Sequence, residues 1–219
     1  KITKKALKEK IADERMTLRS YSLTEYTGVF FNLDRPLIAK KKIRQSLMKS
    51  VNKPRLVSLV GDVRMIDTVR FETKPEKWIH QFDATIAEKN LKDLGYQKGR
   101  DGFLKDSKGQ TLTFTFLTRR FLSNSPLEEK TKATVDFLKS SWENIGIKVN
   151  VVREDGANFT ELVRKREYDL LLSGHRLGQN SDLFAFWHSS QQGENGLNFS
   201  QMKSFRVDSL LEDLRLLFD

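Results

Sequence analysis

The chain has 219 residues, a formal net charge of +10 and no cysteine. Its length fits one large domain or at most two small ones, and its 38% hydrophobic and 10% aromatic residues argue against a disordered polymer. The lack of cysteine excludes disulfides and thiolate metal sites. The sequence also contains no apolar run of about eighteen residues and no apolar signal-peptide core at its start. These properties indicate a folded globular domain.

The basic charge raises one alternative, a domain that binds nucleic acid or an anionic surface. The basic residues are nevertheless spread along the chain among 29 acidic residues, and the densest clusters, at residues 1–10 and 40–42, are short. No RNA-recognition, zinc-finger or helix-turn-helix pattern accompanies them. We therefore expect solvated basic faces and no nucleic-acid partner, and the alternative is kept as the second hypothesis.

Apolar periodicity predicts the elements of the first quarter of the chain. Residues 5–19 carry a weak helical pattern, and residues 26–33 are aromatic and β-branched, which is typical of a buried strand. Residues 39–51 have one apolar stripe opposite lysines, which predicts a helix that ends before Pro54. Residues 55–80 are predicted to be loop-like.

A short helix is predicted after Asp83, with Gly95 as its left-handed cap. The side chains expected to be buried along it are Ile86, Ala87, Leu91 and Leu94. Turn glycines indicate a hairpin-like region at residues 96–109. Residues 111–118 then alternate in polarity, which predicts a strand with one buried face. That face carries Leu112, Phe114 and Phe116.

The clearest helix is predicted at residues 126–145. Ser125 can cap its first turn, Pro126 suits the first helical position, and Glu128 completes a capping box. Apolar bulk along it comes from Leu127, Phe137, Leu138, Trp142 and Ile145. Gly146 is expected to stop the helix.

The last part of the chain continues the alternation of strands and helices. Strands are predicted at residues 147–152 and 168–173, and a helix between them is expected to be capped by Asn158 with Glu161. A final helix has leucines at helical spacing. These are Leu210, Leu211, Leu214 and Leu217. The succession indicates an α/β domain.

Four segments, in order, resemble the oligopeptide-binding family of solute receptors of ABC transporters. The first is residues 26–47, with Phe-Asn and Ile-Arg-Gln-Ser-Leu, and the second is residues 82–112, with Leu-Gly-Tyr. The third is residues 142–149, Trp-Glu-Asn-Ile-Gly-Ile-Lys-Val. The fourth is residues 168–200, with Tyr-Asp, Phe-Trp-His-Ser-Ser and Asn-Phe-Ser. Each segment alone is a weak signal. Their shared order and spacing over residues 26–215 carry the resemblance.

The resemblance implies that residues 1–219 form a single domain, the C-terminal lobe of a two-lobed receptor whose N-terminal lobe is absent from this chain. The expected fold is α/β, a mixed sheet flanked by helices, in the periplasmic-binding-protein-like (type II) class. The expected partners are a peptide or other small solute, the N-terminal lobe and the ABC-transporter permease subunits. The expected location is periplasmic or at the cell surface. A sequence that begins within a longer protein would also lack a signal peptide.

The resemblance places ligand contacts in the segment that follows the 168–173 strand. The predicted ligand-binding residues are His175, Arg176, Leu177, Gly178, Asp182 and Trp187. Family members of the enterobacterial peptide type have Trp after the first glycine and, three residues further on, an Asp that pairs with the ligand's amino terminus. This chain has His175 and Gly178 at those positions, so recognition of a peptide amine is not carried over to Asp182.

Several of these residues also have structural interpretations. His175 and Arg176 can line a cleft or lie on an ordinary surface, and Trp187 is better interpreted as a core residue than as a ligand-stacking one. His188 is expected to make a structural hydrogen bond, because no second metal ligand has matching spacing. Asn32 and Asn198 are expected to bond at turns or strand ends.

No catalytic motif accompanies the resemblance. The sequence has no Gly-x-Ser-x-Gly, His-Glu-x-x-His or phosphate-binding glycine loop, and its three histidines are far apart. We therefore expect a binding protein and not an enzyme, with no cofactor and no metal.

Overall fold

A computed structural model of the chain describes residues 25–61, 63, 65–66, 81–177 and 182–216. The helix predicted at residues 5–19 lies outside these ranges, as do Gly178 and Leu217.

Within the described residues, the main sheet contains four strands in the order β1-β6-β4-β5. Its strands are β1 (Glu25–Phe31), β4 (Thr113–Arg119), β5 (Lys148–Glu154) and β6 (Leu170–Arg176). A separate hairpin pairs β2 (Gln97–Lys98) with β3 (Leu104–Lys105). The strands β4, β5 and β6 are parallel, whereas β1 is antiparallel to β6. The sheet is therefore mixed, as predicted.

Helices cover both faces of this sheet. They are α1 (Pro36–Ala39), α2 (Lys41–Lys49), α3 (Lys53–Val60), α4 (Ala84–Asp93), α5 (Pro126–Asn144), α6 (Gly156–Arg164), α7 (Phe184–Trp187) and α8 (Phe205–Leu216). A 3₁₀ turn, Ser189–Gln191, follows α7. The order of strands and helices confirms the α/β prediction.

The larger core lies between the sheet and the helices α2, α4 and α5. Its centre is Trp142 of α5, which is 1% exposed and donates from Nε1 to the Leu47 carbonyl at 3.0 Å. The Trp142 ring also meets the Phe116 ring edge-on, with centroids 5.1 Å apart. Trp142 thus connects α5 to α2 and to β4 of the sheet.

The opposite face of the sheet carries a smaller core beneath α6 and the segment after β6. Its buried members are Phe30, Leu117, Tyr168 and Leu171. Leu112, Phe114 and Phe116 are buried as predicted, but Leu117 is also fully buried because α6 covers the second face. The prediction of one buried face for β4 was therefore incomplete.

The first turn of α5 is capped differently from the prediction. Ser125 does accept a hydrogen bond from the Glu128 backbone N–H, at 3.2 Å. The Glu128 carboxylate does not return to Ser125 and instead accepts from the Phe121 N–H and from Arg153 Nη2, both at 2.8 Å. These bonds, led by the one from Phe121, lower the pKa of Glu128. Only half of the predicted capping box is present.

One helix was missed, and the start of another was misplaced. Residues 53–60 form α3, because the Asn52 side chain caps the Arg55 N–H and Pro54 lies in the first turn, where its missing N–H costs nothing. The helix α6 starts at Gly156 and not at Asn158, and Glu161 pairs with Arg164 on the same helix.

The short helix α4 confirms its predicted cap and corrects its predicted face. The Asp83 side chain accepts from the Ile86 N–H at 2.9 Å, and Gly95 has φ +88°. Ala87 and Leu91 are fully buried, but Ile86 is 41% exposed, so its predicted burial was wrong. In α8, Leu211 is buried whereas Leu210 is 59% exposed.

Candidate functional site

The carboxyl ends of the three parallel strands meet at one edge of the sheet. Arg119, Glu154 and Arg176 end β4, β5 and β6 there, and Glu25 joins them because β1 runs the opposite way. The helices α5 and α6 cover opposite faces of the sheet. The connection from β4 leads to β5 on one side, and the next connection returns to β6 on the other side of β4, so a topological switch point lies between β4 and β6. In open α/β sheets, ligands bind in the crevice at such a switch point.

The strand β6 extends beyond its neighbour at this edge. Its pairing with β4 ends at Leu172, and residues 173–176 have register partners on β1 alone within the described residues. The close approach of β6 to β1 depends on Gly174, where a Cβ would lie 2.9 Å from the Tyr26 carbonyl oxygen. The edge of β6 that faces the switch point therefore continues past the end of β4.

His175 lies in this extension, but its ring points into the smaller core. Its side chain is stacked on Phe186 at 4.2 Å, with Phe30 and Phe199 also within 5 Å between ring centroids, and the residue is 3% exposed. The Tyr26 hydroxyl lies 2.9 Å from Nδ1. Burial lowers the pKa of His175 to about 4, so the ring is neutral at pH 7. The predicted contact between His175 and ligand stays a prediction.

The two residues after His175 differ in exposure. The Arg176 side chain is 81% exposed and pairs with Glu25 at 3.1 Å across the two strands. Leu177 is 1% exposed and packs into the protein. The predicted ligand residue Gly178 lies outside the described residues.

Asp182 is already engaged by a cation. Its carboxylate accepts from Arg215 Nη2 at 2.6 Å and from the Phe184 N–H at 2.9 Å. The Arg215 guanidinium carbon also lies 3.8 Å from the Phe184 ring centroid. These contacts, led by the Arg215 bond, lower the pKa of Asp182. Sequence reasoning missed Arg215, because 33 residues separate it from its partner.

Trp187 belongs to the smaller core, which agrees with the structural interpretation of this residue. It also lines, with Tyr26, an open groove of about 440 Å³ that follows β1. Burial raises the pKa of Tyr26 to about 12. Tyr26 was not predicted as a site residue, although its aromatic ring at the start of a strand was a visible signal.

The predicted structural roles of three polar residues are confirmed. His188 Nδ1 lies 2.8 Å from Ser190 Oγ, and Nε2 lies 3.3 Å from Glu212 Oε1. Asn32 donates to the Tyr168 carbonyl before β6. Asn198 donates to the His188 and Met202 carbonyls, which lie before and after it in the chain.

The described residues offer neither a metal-binding cluster nor a membrane-spanning helix. No group of three or more His, Asp or Glu side chains there is placed to hold a metal ion. No helix in the same ranges combines the length and the apolar character needed to cross a membrane.

Comparisons with known proteins agree with the fold. The family profile described as "Bacterial extracellular solute-binding proteins, family 5 Middle" matches residues 2–196. The oligopeptide-binding protein AppA of Bacillus subtilis is 24% identical over 209 residues, which are 89% of this chain and 36% of AppA. The chain thus spans about a third of the length of that curated relative.

Solved structures give the same result. AppA in complex with a nonapeptide superposes with a TM-score of 0.73 and 22% identity, covering 86% of this chain and 38% of AppA. NikZ from Campylobacter jejuni, in complex with Ni(L-His), gives 0.71 and 26% over 87% and 38% of the two chains. HbpA2 from Haemophilus parasuis gives 0.73 and 18% over 95% and 40%.

These similarities show that the fold is that of one lobe of the type II periplasmic-binding-protein class, as the resemblance implied. The family profile covers most of the sequence, including the six strands of the described residues and the switch point between β4 and β6. The chain belongs to the bacterial extracellular solute-binding proteins of family 5.

Proposed function

We propose that this chain is the C-terminal, ligand-contacting lobe of an ABC-transporter solute receptor, and that it binds an extended peptide in a cleft against a second lobe. The observation that carries the proposal is the part of β6, residues 173–176, that continues beyond its pairing with β4 at the switch point. A strand edge offers alternating main-chain donors and acceptors, which an extended peptide can pair with regardless of its sequence.

The surroundings of this edge support backbone recognition more than side-chain recognition. The His175 side chain is packed inward, the Arg176 guanidinium pairs with Glu25, and the Asp182 carboxylate pairs with Arg215. None of these three groups is poised to take a charged ligand terminus without giving up its present contacts. Affinity would then come mainly from main-chain hydrogen bonds and from the apolar surface near Tyr26 and Trp187.

The choice of peptide as ligand rests on this edge and on the similarity to AppA, whose name describes oligopeptide binding. The same fold holds Ni(L-His) in NikZ, so the fold alone does not determine the ligand. In this chain, no cluster of His, Asp or Glu suited to a metal occurs among the described residues. The free strand edge, which suits an extended backbone, favours a peptide over a metal chelate.

The second lobe, the permease subunits and an extracytoplasmic location are parts of the same proposal. A single lobe exposes one wall of a cleft, so the ligand would be enclosed only when a second lobe closes over it by hinge motion. The family of solute-binding proteins supports a transport role without catalysis, and the proposal includes no cofactor.

The proposal is tested by calorimetry on the receptor that contains this chain. The receptor is titrated with defined peptides and with their backbone N-methylated analogues. An N-methyl group removes one backbone donor, so affinity should fall about tenfold at the residues that pair with β6 and little elsewhere. The matched control carries the methyl group on a side chain. The proposal fails if no peptide binds, or if N-methylation at every position leaves affinity unchanged.

A further inference from the structure

A basic face covers the outer side of α1, α2 and α3. Residues 35–60 contain no Asp or Glu but have eight basic residues, namely Arg35, Lys40, Lys41, Lys42, Arg44, Lys49, Lys53 and Arg55. Arg44 and Lys53 line the groove along β1, and the proposed solute site uses none of the other six. Such a segment creates a local positive potential unless nearby carboxylates neutralise it.

Internal contacts hold three of these cations. Arg35 donates to the Arg166 and Tyr168 carbonyls, and Arg44 donates to the carbonyls of residues 38 and 39. Lys42 pairs with Asp93 at 3.1 Å. Carbonyl contacts fix an arginine without cancelling its charge, whereas the pair of Lys42 with Asp93 neutralises part of the face.

Four of the other cations extend the face into solvent. Among the described residues, the side chains of Lys40, Lys41, Lys49 and Arg55 take part in no hydrogen bond or ion pair. Lys40, Lys41 and Arg55 are exposed and Lys49 is half-buried. They lie on α2, at its N-cap and on α3, so they mark a continuous stretch of the chain.

Exposed apolar side chains lie next to these cations. Leu59 is 57% exposed and lies four residues after Arg55, on the same face of α3. Ile86, within α4, is 41% exposed, and Phe82, just before that helix, is 50% exposed; α4 packs against α2. The Asp83 N–H donates to the Lys49 carbonyl at 2.8 Å, which ties this apolar group to the end of α2. The face therefore combines positive charge with apolar side chains.

We propose that this basic face binds the anionic headgroups of a lipid bilayer. Lysine and arginine side chains are attracted to anionic lipids, and neighbouring apolar side chains can enter the headgroup region. A nucleic acid would use the cations but would leave Leu59, Ile86 and Phe82 without matching contacts. The family is extracellular, so a membrane surface is also the anionic partner that such a protein meets.

Co-sedimentation of the 219-residue chain with phosphatidylcholine vesicles, with and without phosphatidylglycerol, tests the proposal. The chain should sediment only with vesicles that contain phosphatidylglycerol. Raising the salt from about 0.1 M to about 1 M shortens the Debye length from about 10 Å to about 3 Å and should release it. The triple variant Lys40→Gln/Lys41→Gln/Lys49→Gln should bind on the order of 100-fold more weakly.

The matched control removes three exposed cations from the hairpin region, in the variant Lys98→Gln/Arg100→Gln/Lys108→Gln. It has the same net charge as the first variant and should keep most of the binding. Equal losses in both variants would attribute binding to net charge and overturn the proposal, as would an absence of binding to anionic vesicles. Tighter binding to a DNA duplex, lost in the same α2 variant, would overturn it in favour of nucleic acid.

Discussion

The Arg215 guanidinium closes over the Asp182 carboxylate, with Nη2 and Oδ2 2.6 Å apart. Asp182 is the carboxylate nearest in sequence to the position at which relatives of the peptide-binding type bind a ligand amine. Here α8 supplies the cation that pairs with the Asp182 carboxylate. The pair links the segment after β6 to the last described helix and removes a negative charge from the candidate site.

Replacing Arg215 should restore that charge. The quantity compared is the affinity for a peptide with a free amino terminus divided by the affinity for its N-acetylated form. In the receptor with Arg215→Gln, this ratio should be about tenfold higher than in the unmodified receptor. Stability should fall by no more than about 1 kcal/mol, because both side chains are partly exposed. The measurement is a calorimetric comparison of the two peptides.

The control for this change is Lys203→Gln, which breaks the exposed pair with Asp34 and removes the same charge elsewhere. It should leave the ratio of the two affinities unchanged. If Arg215→Gln also leaves the ratio unchanged, the Asp182 carboxylate does not face the bound ligand.

His175 should make the protein less stable in mild acid. Its pKa is about 4 in the folded state, below the usual value of about 6.5, so the unfolded chain binds this proton first. Stability should fall as the pH drops from about 6.5 to about 4 and then level off with respect to this group. The loss amounts to at most about 3 kcal/mol. Urea unfolding at a series of pH values measures it.

The variant His175→Phe isolates this contribution, since the ring already lies among Phe30, Phe186 and Phe199. Its stability should vary less over the same pH range, although the hydrogen bond between the Tyr26 hydroxyl and Nδ1 is lost. An identical pH dependence in the two proteins would show that His175 does not titrate in this way.

Much of the fold could be predicted from the sequence because its signals are local. The polarity alternation before Arg119 and the caps at Ser125 and Asp83 act within a few residues, and the structure contains those elements. The helix α3 was missed for a local reason too. Pro54 ends one pattern, but the same residue also suits the first turn of the next helix.

The site was less predictable because its contacts are distant in sequence. His175 was expected in a loop, whereas β6 runs on to Arg176 because β1 supplies seven register partners for it. Once the strand is extended, alternation places His175 on the same face as Leu171, in the core. The pairing of Asp182 with Arg215 has no local signature at all.

The approach of β1 to β6 can be tested at its two glycines. A methyl group at Gly174 would meet the Tyr26 carbonyl oxygen at 2.9 Å, whereas one at Gly28 would meet no atom within 4 Å. Gly174→Ala should therefore cost about 1–3 kcal/mol and weaken peptide binding, because it spreads the strands beside the proposed edge. Gly28→Ala, on the partner strand, should be near neutral or slightly stabilising. Equal effects on unfolding free energy would contradict this account.

The Glu128 carboxylate joins three elements at the edge of the candidate site. It accepts from the Phe121 N–H after β4 and from Arg153 on β5, while belonging to α5. Glu128→Gln keeps an acceptor but loses the charge, so it should cost about 1–2 kcal/mol of unfolding free energy at pH 7. The matched control is Glu129→Gln, at the next position of the same helix turn and exposed.

The pH dependence separates this interaction from a general helix-dipole effect. The pKa of Glu128 is lowered in the folded state, so its contribution is complete above the unfolded value of about 4.3 and is lost as the pH falls through the folded value. The difference in stability between the unmodified protein and Glu128→Gln should therefore shrink below about pH 4. Glu129→Gln should show little of this change. If both variants lose the same stability at pH 7, the contacts with Phe121 and Arg153 contribute no more than proximity to the helix terminus does.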